Sequence, residues 1–231
     1  MRRGTPGVKL ARDLLPKSIR DAERHDPARV VEVLERFALE RRQARLREVI
    51  ARRIGAVTVC FDAPHDPHNG AAVIRSCEAF GVQALHVVER NETFLAASSV
   101  TRGAERWLDV FTHQTTAGAV EQLEGQGFDL VAASADGELL PDDLREIPRL
   151  ALVLGNEHDG IGRELLAACR RRVRVPMRGF IESLNVSVTC AILLHHATRG
   201  REGDLDEAER LRLYARGLYF TVDHAEELLR R

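Results

Sequence analysis

The chain has 231 residues, of which 44% are hydrophobic and 30% are charged, so it can bury the core of one globular domain with terminal extensions. We expect no membrane span, because no apolar run approaches the length that crosses a bilayer. No apolar stretch follows Met1-Arg2-Arg3-Gly4, so we expect no secretory signal and a cytoplasmic location. The four cysteines lie far apart without a C-x-x-C pair. We therefore predict reduced thiols and neither a zinc site nor a redox motif.

The net charge of −1 excludes no class of partner, but basic residues are concentrated at the N-terminus. Residues 1–54 contain 15 Arg and Lys against 8 Asp and Glu, whereas residues 200–231 contain 6 against 8. Nearly all cations are arginines, whose planar guanidinium matches phosphate oxygens. A genome rich in G and C gives the same bias, so both explanations stay open.

Residues 1–27 contain proline, glycine and arginine and predict loose structure. A helical period begins at Pro27, with one apolar set at Val30, Val33, Leu34, Phe37 and Ala38 and a second at Leu46, Val49 and Ile50. Arginines lie between these apolar residues, on either a solvated face or an RNA-binding face.

From Gly55 onward, strands alternate with helices. The predicted strands cover residues 56–61, 84–88, 107–111, 130–133, 150–154 and 173–175. The predicted helices cover residues 69–80, 116–126, 161–170 and 185–198, and residues 204–231 form one or two more. This alternation predicts an α/β fold with a mainly parallel sheet. We divide the chain into a basic helical extension (1–54), the α/β domain (55–199) and a C-terminal helical extension (200–231).

Three segments place polar residues where an apolar framework does not need them. The first leads from Asp66-Pro67-His68-Asn69-Gly70 into Arg75. Asn69 can be a helix N-cap, but Arg75 lies on a helix that packs against a sheet, where a cation must be paired or face a cleft.

The second segment, from Leu154 to Gly160, follows a buried strand and precedes a helix. Ligands of open α/β sheets bind beyond the carboxyl ends of strands, so its two glycines and four polar residues indicate a binding turn. The third segment contains Ser183, Asn185 and Ser187 at the start of an apolar helix, and capping explains only one of them.

Together, these segments contain three ordered motifs. They are N-x5-R-x3-A-F-G-V (Asn69 to Val82), L-G-N-E-x2-G-I (Leu154 to Ile161) and V-P-M-x-G-x3-S-L-N-V-S-V (Val175 to Val188). Order and spacing resemble the SpoU family of the knotted SPOUT RNA 2′-O-methyltransferases, over roughly residues 55–199. Within it, the His65–Asn69 and Arg102–Trp107 stretches are most similar to the tRNA guanosine-18 2′-O-methyltransferases.

The resemblance implies a C-terminal trefoil knot, which general chain topology would otherwise exclude. It also implies S-adenosylmethionine as cofactor, held mostly through backbone groups. The positions that match its binding residues are Ala133, Gly155, Val175 and Leu184. The expected partners are RNA, with tRNA favoured over ribosomal RNA, and a second copy in a homodimer whose site lies near the interface.

By the same resemblance, Arg75 matches the catalytic arginine, and Asn69, Glu157, Ser183 and Asn185 match its supporting polar residues. A guanidinium, with a pKa above about 12, is a poor general base. We therefore prefer Arg75 as the group that binds a phosphate or the developing oxyanion, although assisted deprotonation stays open. Asn69 and Glu157 are expected to position Arg75 or the substrate.

Three rival functions remain. One is methylation of ribosomal RNA, and the second is RNA binding without catalysis, which the five intact motif residues disfavour. The third is a small-molecule enzyme with a nucleotide-binding fold. The chain has no G-x-G-x-x-G at the first helix and no P-loop lysine, so the usual phosphate-binding loops of that class are missing.

Overall fold

The computed structural model of the chain describes residues 8–10 (backbone alone), 21–89, 101 and 103–230. Its strands are β1 (Val8–Leu10), β2 (Ile54–Asp62), β3 (Val82–Val88), β4 (Asp109–His113), β5 (Asp129–Ala133), β6 (Leu150–Leu154) and β7 (Arg171–Val173). Its α-helices are α1 (Pro27–Leu34), α2 (Glu40–Ala51), α3 (Pro67–Ala79), α4 (Thr116–Gly125), α5 (Arg163–Ala168), α6 (Val186–Thr198), α7 (Glu207–Thr221) and α8 (Ala225–Leu229).

Seven strands form one sheet in the order β1-β4-β3-β2-β6-β5-β7. The pairs β3–β4, β2–β6, β5–β6 and β5–β7 are parallel, whereas β1 pairs antiparallel with β4 at the edge. All five residues of β6 are buried, as expected for a central strand covered on both faces. The predicted α/β class with a mainly parallel sheet is confirmed. The trefoil knot stays a prediction.

The chain divides into two compact units. The sheet unit comprises β1 and residues 55–201, and the described part of the helical unit comprises residues 21–54 and 202–230. The helical unit therefore joins segments from both ends of the chain. The functional division into residues 1–54, 55–199 and 200–231 stays a prediction.

Within the helical unit, α7 packs against both α1 and α2. A Cβ on Gly217 would lie 2.7 Å from Leu46 Cδ2, so any larger residue would require the buried Leu46 side chain to move. Tyr214 of α7 donates a 2.7 Å hydrogen bond to Glu35, and the Arg47 guanidinium lies 4.5 Å from the Tyr214 ring centre. Burial and the bond to Glu35 raise the pKa of Tyr214 to about 12.

Several predicted boundaries are wrong. The helix that begins at Pro27 is interrupted by a 3-10 turn at Glu35–Phe37, after which Leu39 is extended. Part of the segment predicted to be loose forms β1; residues 1–7 and 11–20 lie outside the described ones. Strand β4 begins at Asp109, because a 3-10 turn occupies Ala104–Trp107. Strand β7 ends at Val173, since its partner β5 ends opposite it at Ala133.

Burial supports the prediction of inert cysteines. Cys60, Cys77 and Cys190 are fully buried, Cys169 is partly buried, and all four are free thiols. Burial raises the pKa of Cys169 to about 12. No helix among the described residues is long and apolar enough to span a membrane, and no cluster of metal-binding side chains occurs among them.

Candidate functional site

The loop that follows β6 is folded back on itself. The Asn156 N–H donates a 3.2 Å hydrogen bond to the Gly160 carbonyl. A Cβ on Gly155 would lie 2.2 Å from the carbonyl carbon of Gly160, so position 155 must be glycine for the loop to close. The loop's own backbone thus approaches this glycine, and the role of Gly155 in cofactor binding stays a prediction.

Asn156 holds the turn from inside the loop. Its side-chain oxygen accepts hydrogen bonds from the backbone N–H groups of His158 (2.9 Å) and Asp159 (2.8 Å). Asn156 is 6% exposed, and its Nδ2 group is buried without a hydrogen-bond partner among the described residues. A buried donor without an acceptor costs roughly 1–3 kcal/mol, so this atom marks a place where a ligand can supply the acceptor. Asn156 was not among the predicted site residues, because an Asn in such a turn resembles an ordinary turn residue.

One hydrogen-bond network joins the three polar segments. Asp66 caps the N-terminus of α3 by accepting a 2.8 Å hydrogen bond from the His68 N–H. Asn69 lies in the first turn of this helix. The buried Asn69 amide donates from Nδ2 to a Glu157 oxygen and accepts at Oδ1 from Asn185 Nδ2 (3.0 Å). The motifs converge because α3, the loop after β6 and the start of α6 meet here.

Asn185 also caps α6. Its Oδ1 atom accepts from the Ser187 backbone N–H (2.8 Å) and from the Ser187 hydroxyl (2.6 Å). Capping therefore uses the oxygen of Asn185 and leaves its NH2 group for Asn69. Ser183, two residues earlier, is exposed and makes no hydrogen bond to any residue that the structure describes.

A cavity of about 970 Å³ adjoins this network. The predicted site residues in its lining are Ala133, Gly155, Glu157, Val175, Ser183, Leu184 and Asn185. Asn156 lines it as well. The cavity lies where β5 and β6 end, which is the usual ligand position in an open parallel sheet.

Arg75 is placed elsewhere. It is exposed and contributes to a second cavity of about 520 Å³, together with Phe80, Thr101 and Trp107. It lies six residues after Asn69 on α3, about 9 Å along the helix axis. Arg75 has no hydrogen bond or ion pair with the described part of the chain, so Asn69 and Glu157 do not position it within this single chain. Arg102, from the stretch that resembled the tRNA enzymes, lies outside the described residues.

Comparisons with known proteins agree with the arrangement of these motifs. Residues 56–195 match the sequence model of the SpoU rRNA Methylase family. The chain is 36% identical over 190 residues to the tRNA (guanosine(18)-2′-O)-methyltransferase of Escherichia coli K12, covering 77% of this chain and 82% of that protein.

Solved structures agree as well. The TrmH/SpoU tRNA modifying enzyme of A. aeolicus superimposes with a TM-score of 0.70 at 27% identity, covering 78% of this chain and 96% of that one. An AdoMet-bound rRNA methyltransferase from Sinorhizobium meliloti gives a TM-score of 0.54 at 25% identity, with 67% and 59% coverage.

Proposed function

The chain belongs to the SpoU rRNA methylase family, and from this we propose that it methylates a ribose 2′-hydroxyl in RNA, most specifically of a guanosine in tRNA. The observation that supports the proposal best is the network of Asn69, Glu157 and Asn185. It fixes three polar groups from three separate segments beside one cavity. Such a rigid polar arrangement favours a reaction that depends on positioning and charge stabilisation.

The residues of the larger cavity fit S-adenosylmethionine. Ala133, Gly155, Val175 and Leu184 offer small or apolar side chains and exposed backbone, and the cavity of about 970 Å³ is large enough for a nucleoside cofactor. The unpaired Nδ2 of Asn156 suits a ligand rich in ring nitrogens and hydroxyls. When bound, the cofactor supplies a methyl group on a positively charged sulfur.

The polar network is suited to holding a ribose. Glu157, when ionised, has only acceptor oxygens, and one of them is occupied by Asn69. The rest of the carboxylate can accept a hydrogen bond from a ribose hydroxyl. Ser183, exposed in the cavity lining, has a hydroxyl available for substrate. We propose that these residues orient the ribose and that Arg75 binds the adjacent phosphate or the developing oxyanion.

A homodimer is part of the proposal, because Arg75 and the Asn69 network lie in different cavities of one chain. Arg75 of a second copy can complete the site if the two cavities adjoin across an interface. The side chains of Phe180, Ile181 and Val188, near Asn185, are strongly exposed and provide apolar surface for such a contact.

The first experiment incubates the purified chain with radiolabelled S-adenosylmethionine and separate unmodified tRNA and ribosomal RNA pools. The label is then mapped by nuclease digestion. We expect label on a ribose 2′-oxygen of a tRNA guanosine. The matched variants Arg75→Ala and Arg145→Ala compare the site arginine with an exposed arginine outside both cavities; only Arg75→Ala should abolish transfer.

Methylation of ribosomal RNA is the second candidate, favoured by the similarity to the Sinorhizobium meliloti enzyme. Label only in the ribosomal pool would support ribose 2′-O-methylation but would identify ribosomal RNA, and not tRNA, as the substrate. If neither pool accepted label although the chain bound the cofactor, the enzymatic proposal would be wrong. A non-catalytic RNA-binding protein would then be the better description.

A further inference from the structure

The turn between α1 and α2 exposes two large apolar side chains. Phe37 is 50% exposed and Leu39 is 63% exposed, although both belong to an otherwise packed helical unit. A single exposed apolar side chain is ordinary, whereas neighbouring ones that line a groove with a polar rim indicate a binding contact. Such a groove of about 460 Å³ is present, and Phe37 and Leu39 form its apolar side.

Arginines form the other side of this groove. Arg41, Arg42 and Arg45 line it, and the guanidinium of Arg36 lies 5.1 Å from the centre of the Phe37 ring. We call the surface formed by Phe37, Leu39 and these four arginines the Phe37 groove. It combines an exposed aromatic ring with several cations in one place.

The cations of the Phe37 groove are poorly neutralised. Arg36 and Arg41 form no ion pair with any acidic residue that the structure describes. Arg42 donates only a 3.4 Å hydrogen bond to the Thr221 hydroxyl. Arg45 pairs with Glu48 at 3.0 Å, but both side chains are well exposed, so the pair is weak and can exchange for another anion.

The turn that presents Phe37 is held rigidly. The side-chain NH2 group of Gln43 donates hydrogen bonds of 2.9 Å to the carbonyls of Glu35 and Ala38. The Glu35 carbonyl also accepts a 3.0 Å hydrogen bond from the Ala38 N–H, so several bonds fix the backbone of the turn. The backbone that carries Phe37 is thus set before any ligand binds, which lowers the entropic cost of binding.

We infer that the Phe37 groove binds an unpaired nucleotide in a loop of the substrate RNA, with the base stacked on Phe37 and the flanking phosphates on Arg41, Arg42 and Arg45. This inference rests on the proposed function for the identity of the RNA as substrate. An aromatic platform beside cations is the chemistry that recognises single-stranded nucleic acid, whereas paired bases cannot stack on it.

Charge disfavours contact of the Phe37 groove with the same groove of a second copy. Around a two-fold axis through this surface, the four arginines of one copy would face those of the other. Like charges at that distance repel, and Leu39 and Phe37 alone offer little area to offset the repulsion. A polyanion with exposed bases matches both halves of the groove.

The test measures the affinity of the full chain, without cofactor, for an RNA hairpin with a single-stranded loop and for a fully paired RNA of equal length. Phe37→Ala should weaken hairpin binding about 5- to 100-fold, the range for one lost stacking contact, and leave duplex binding nearly unchanged. Phe37→Tyr should restore it. Leu211→Ala, another exposed apolar residue of the helical unit, serves as the matched control and should change neither affinity.

The salt dependence of RNA affinity distinguishes the stacking contact of Phe37 from the phosphate contacts of the arginines. Phe37→Ala should leave the slope of log affinity against log salt unchanged, because the ring releases no counterions. Arg41→Ala should reduce that slope by about 0.7–0.9. Equal binding of the hairpin by wild type and Phe37→Ala would overturn the inference, as would an equal loss for hairpin and duplex. A change in sedimentation without a change in RNA affinity would overturn it in favour of a protein contact.

The outcome is independent of the methylation assay. If the wild-type chain methylates RNA and Phe37→Ala binds the hairpin normally, the inference fails and the proposed function stands. If no RNA accepts a methyl group but Phe37→Ala still loses hairpin binding, the groove is supported as an RNA-binding surface and the proposed catalysis fails. In an active enzyme, Phe37→Ala should raise KM and leave kcat unchanged.

Discussion

The side-chain amide of Asn69 acts both as a hydrogen-bond donor and as an acceptor. Its NH2 group donates to Glu157, which as a carboxylate can only accept, and its oxygen accepts from Asn185. The charge on Glu157 therefore fixes the orientation of Asn69, and through it the orientation of the Asn185 amide. A single buried residue thus aligns two segments that are far apart in the chain.

Replacing Asn69 should separate its catalytic role from cofactor binding. Asn69→Ala leaves a carboxylate and an amide with one fewer partner each, so we expect kcat to fall about 10²- to 10³-fold, as when other positioned polar groups are removed. Cofactor affinity should change little, because Asn69 does not line the larger cavity. Single-turnover rates and calorimetric titration measure the two quantities.

His68→Ala provides the control for Asn69→Ala. His68 is the preceding residue on α3 and is exposed, so its side chain can be removed without disturbing the network. If Asn69→Ala retained the wild-type rate, or if both variants lost activity equally, the network would have no specific catalytic role.

At the scale of the elements, periodicity located nearly every strand and helix of the sheet unit, because buried strands and amphipathic helices have distinct apolar patterns. It failed at the break between α1 and α2. Phe37 continues the helical spacing of apolar residues, yet the structure exposes it, and no glycine or proline marks the interruption. The side-chain bonds from Gln43 that stabilise the break fall outside the regular spacing of a helix, so the apolar period does not predict them.

For the site, the sequence predicted which residues belong to it but not how they bond to one another. The resemblance of the motifs to the SpoU family identified Asn69, Glu157 and Asn185 as site residues. Their hydrogen bonds, however, span 88 and 116 positions in the chain, and sequence spacing contains no information about such pairings. The separation of Arg75 from Asn69, by contrast, follows from their spacing of six residues on one helix, and the family motif gave no indication that it matters.

The pairing of β3 with β4 buries two histidines that should make the fold sensitive to acid. His86 Nδ1 and His113 Nε2 lie 3.0 Å apart, and both side chains are buried. Burial lowers the pKa of His86 to about 3, with a smaller effect of His113, and burial lowers the pKa of His113 to about 4. Because the unfolded chain binds protons near pH 6.5 and the folded chain does not, stability is full above pH 6.5 and falls below it.

We expect the free energy of unfolding to decrease by about 2–4 kcal/mol between pH 7.5 and pH 5 through this pair. Urea titrations across that range measure it. His113→Gln should reduce the slope of unfolding free energy against pH by the equivalent of up to one bound proton. His224→Gln, at a side chain that is 74% exposed, should leave that slope unchanged. A pH dependence that is identical in wild type and His113→Gln would show that the pair is not responsible.

For the whole molecule, the family was predicted from the motifs and the α/β fold from the alternation of strands with helices, and both are confirmed. The dimer and the knot stay predictions, because both depend on relations that the motifs imply only through the family. The separation of Arg75 from the Asn69 network makes the dimer directly testable.

A mixed dimer of Arg75→Ala and Asn69→Ala subunits, purified through two different tags, distinguishes a shared site from a site within one chain. If the site combines Arg75 of one copy with Asn69 of the other, one of the two sites is intact, and activity should be about half that of the wild-type dimer. Each homodimeric variant should be nearly inactive. An inactive mixed dimer would place both residues of each site in the same chain, and sedimentation of the wild type as a monomer would contradict the dimer.

The helical unit is assembled from the first and last parts of the chain, and this has a consequence for the order of events during synthesis. Helices α1 and α2, with the Phe37 groove, emerge from the ribosome early, but their packing partner α7 is translated only after the entire sheet unit. A nascent chain therefore completes the unit containing the polar network before the helical one. Loss of the last 25 residues by premature termination would remove all of α7 and α8, and would leave α1 and α2 without the surface that stabilises them.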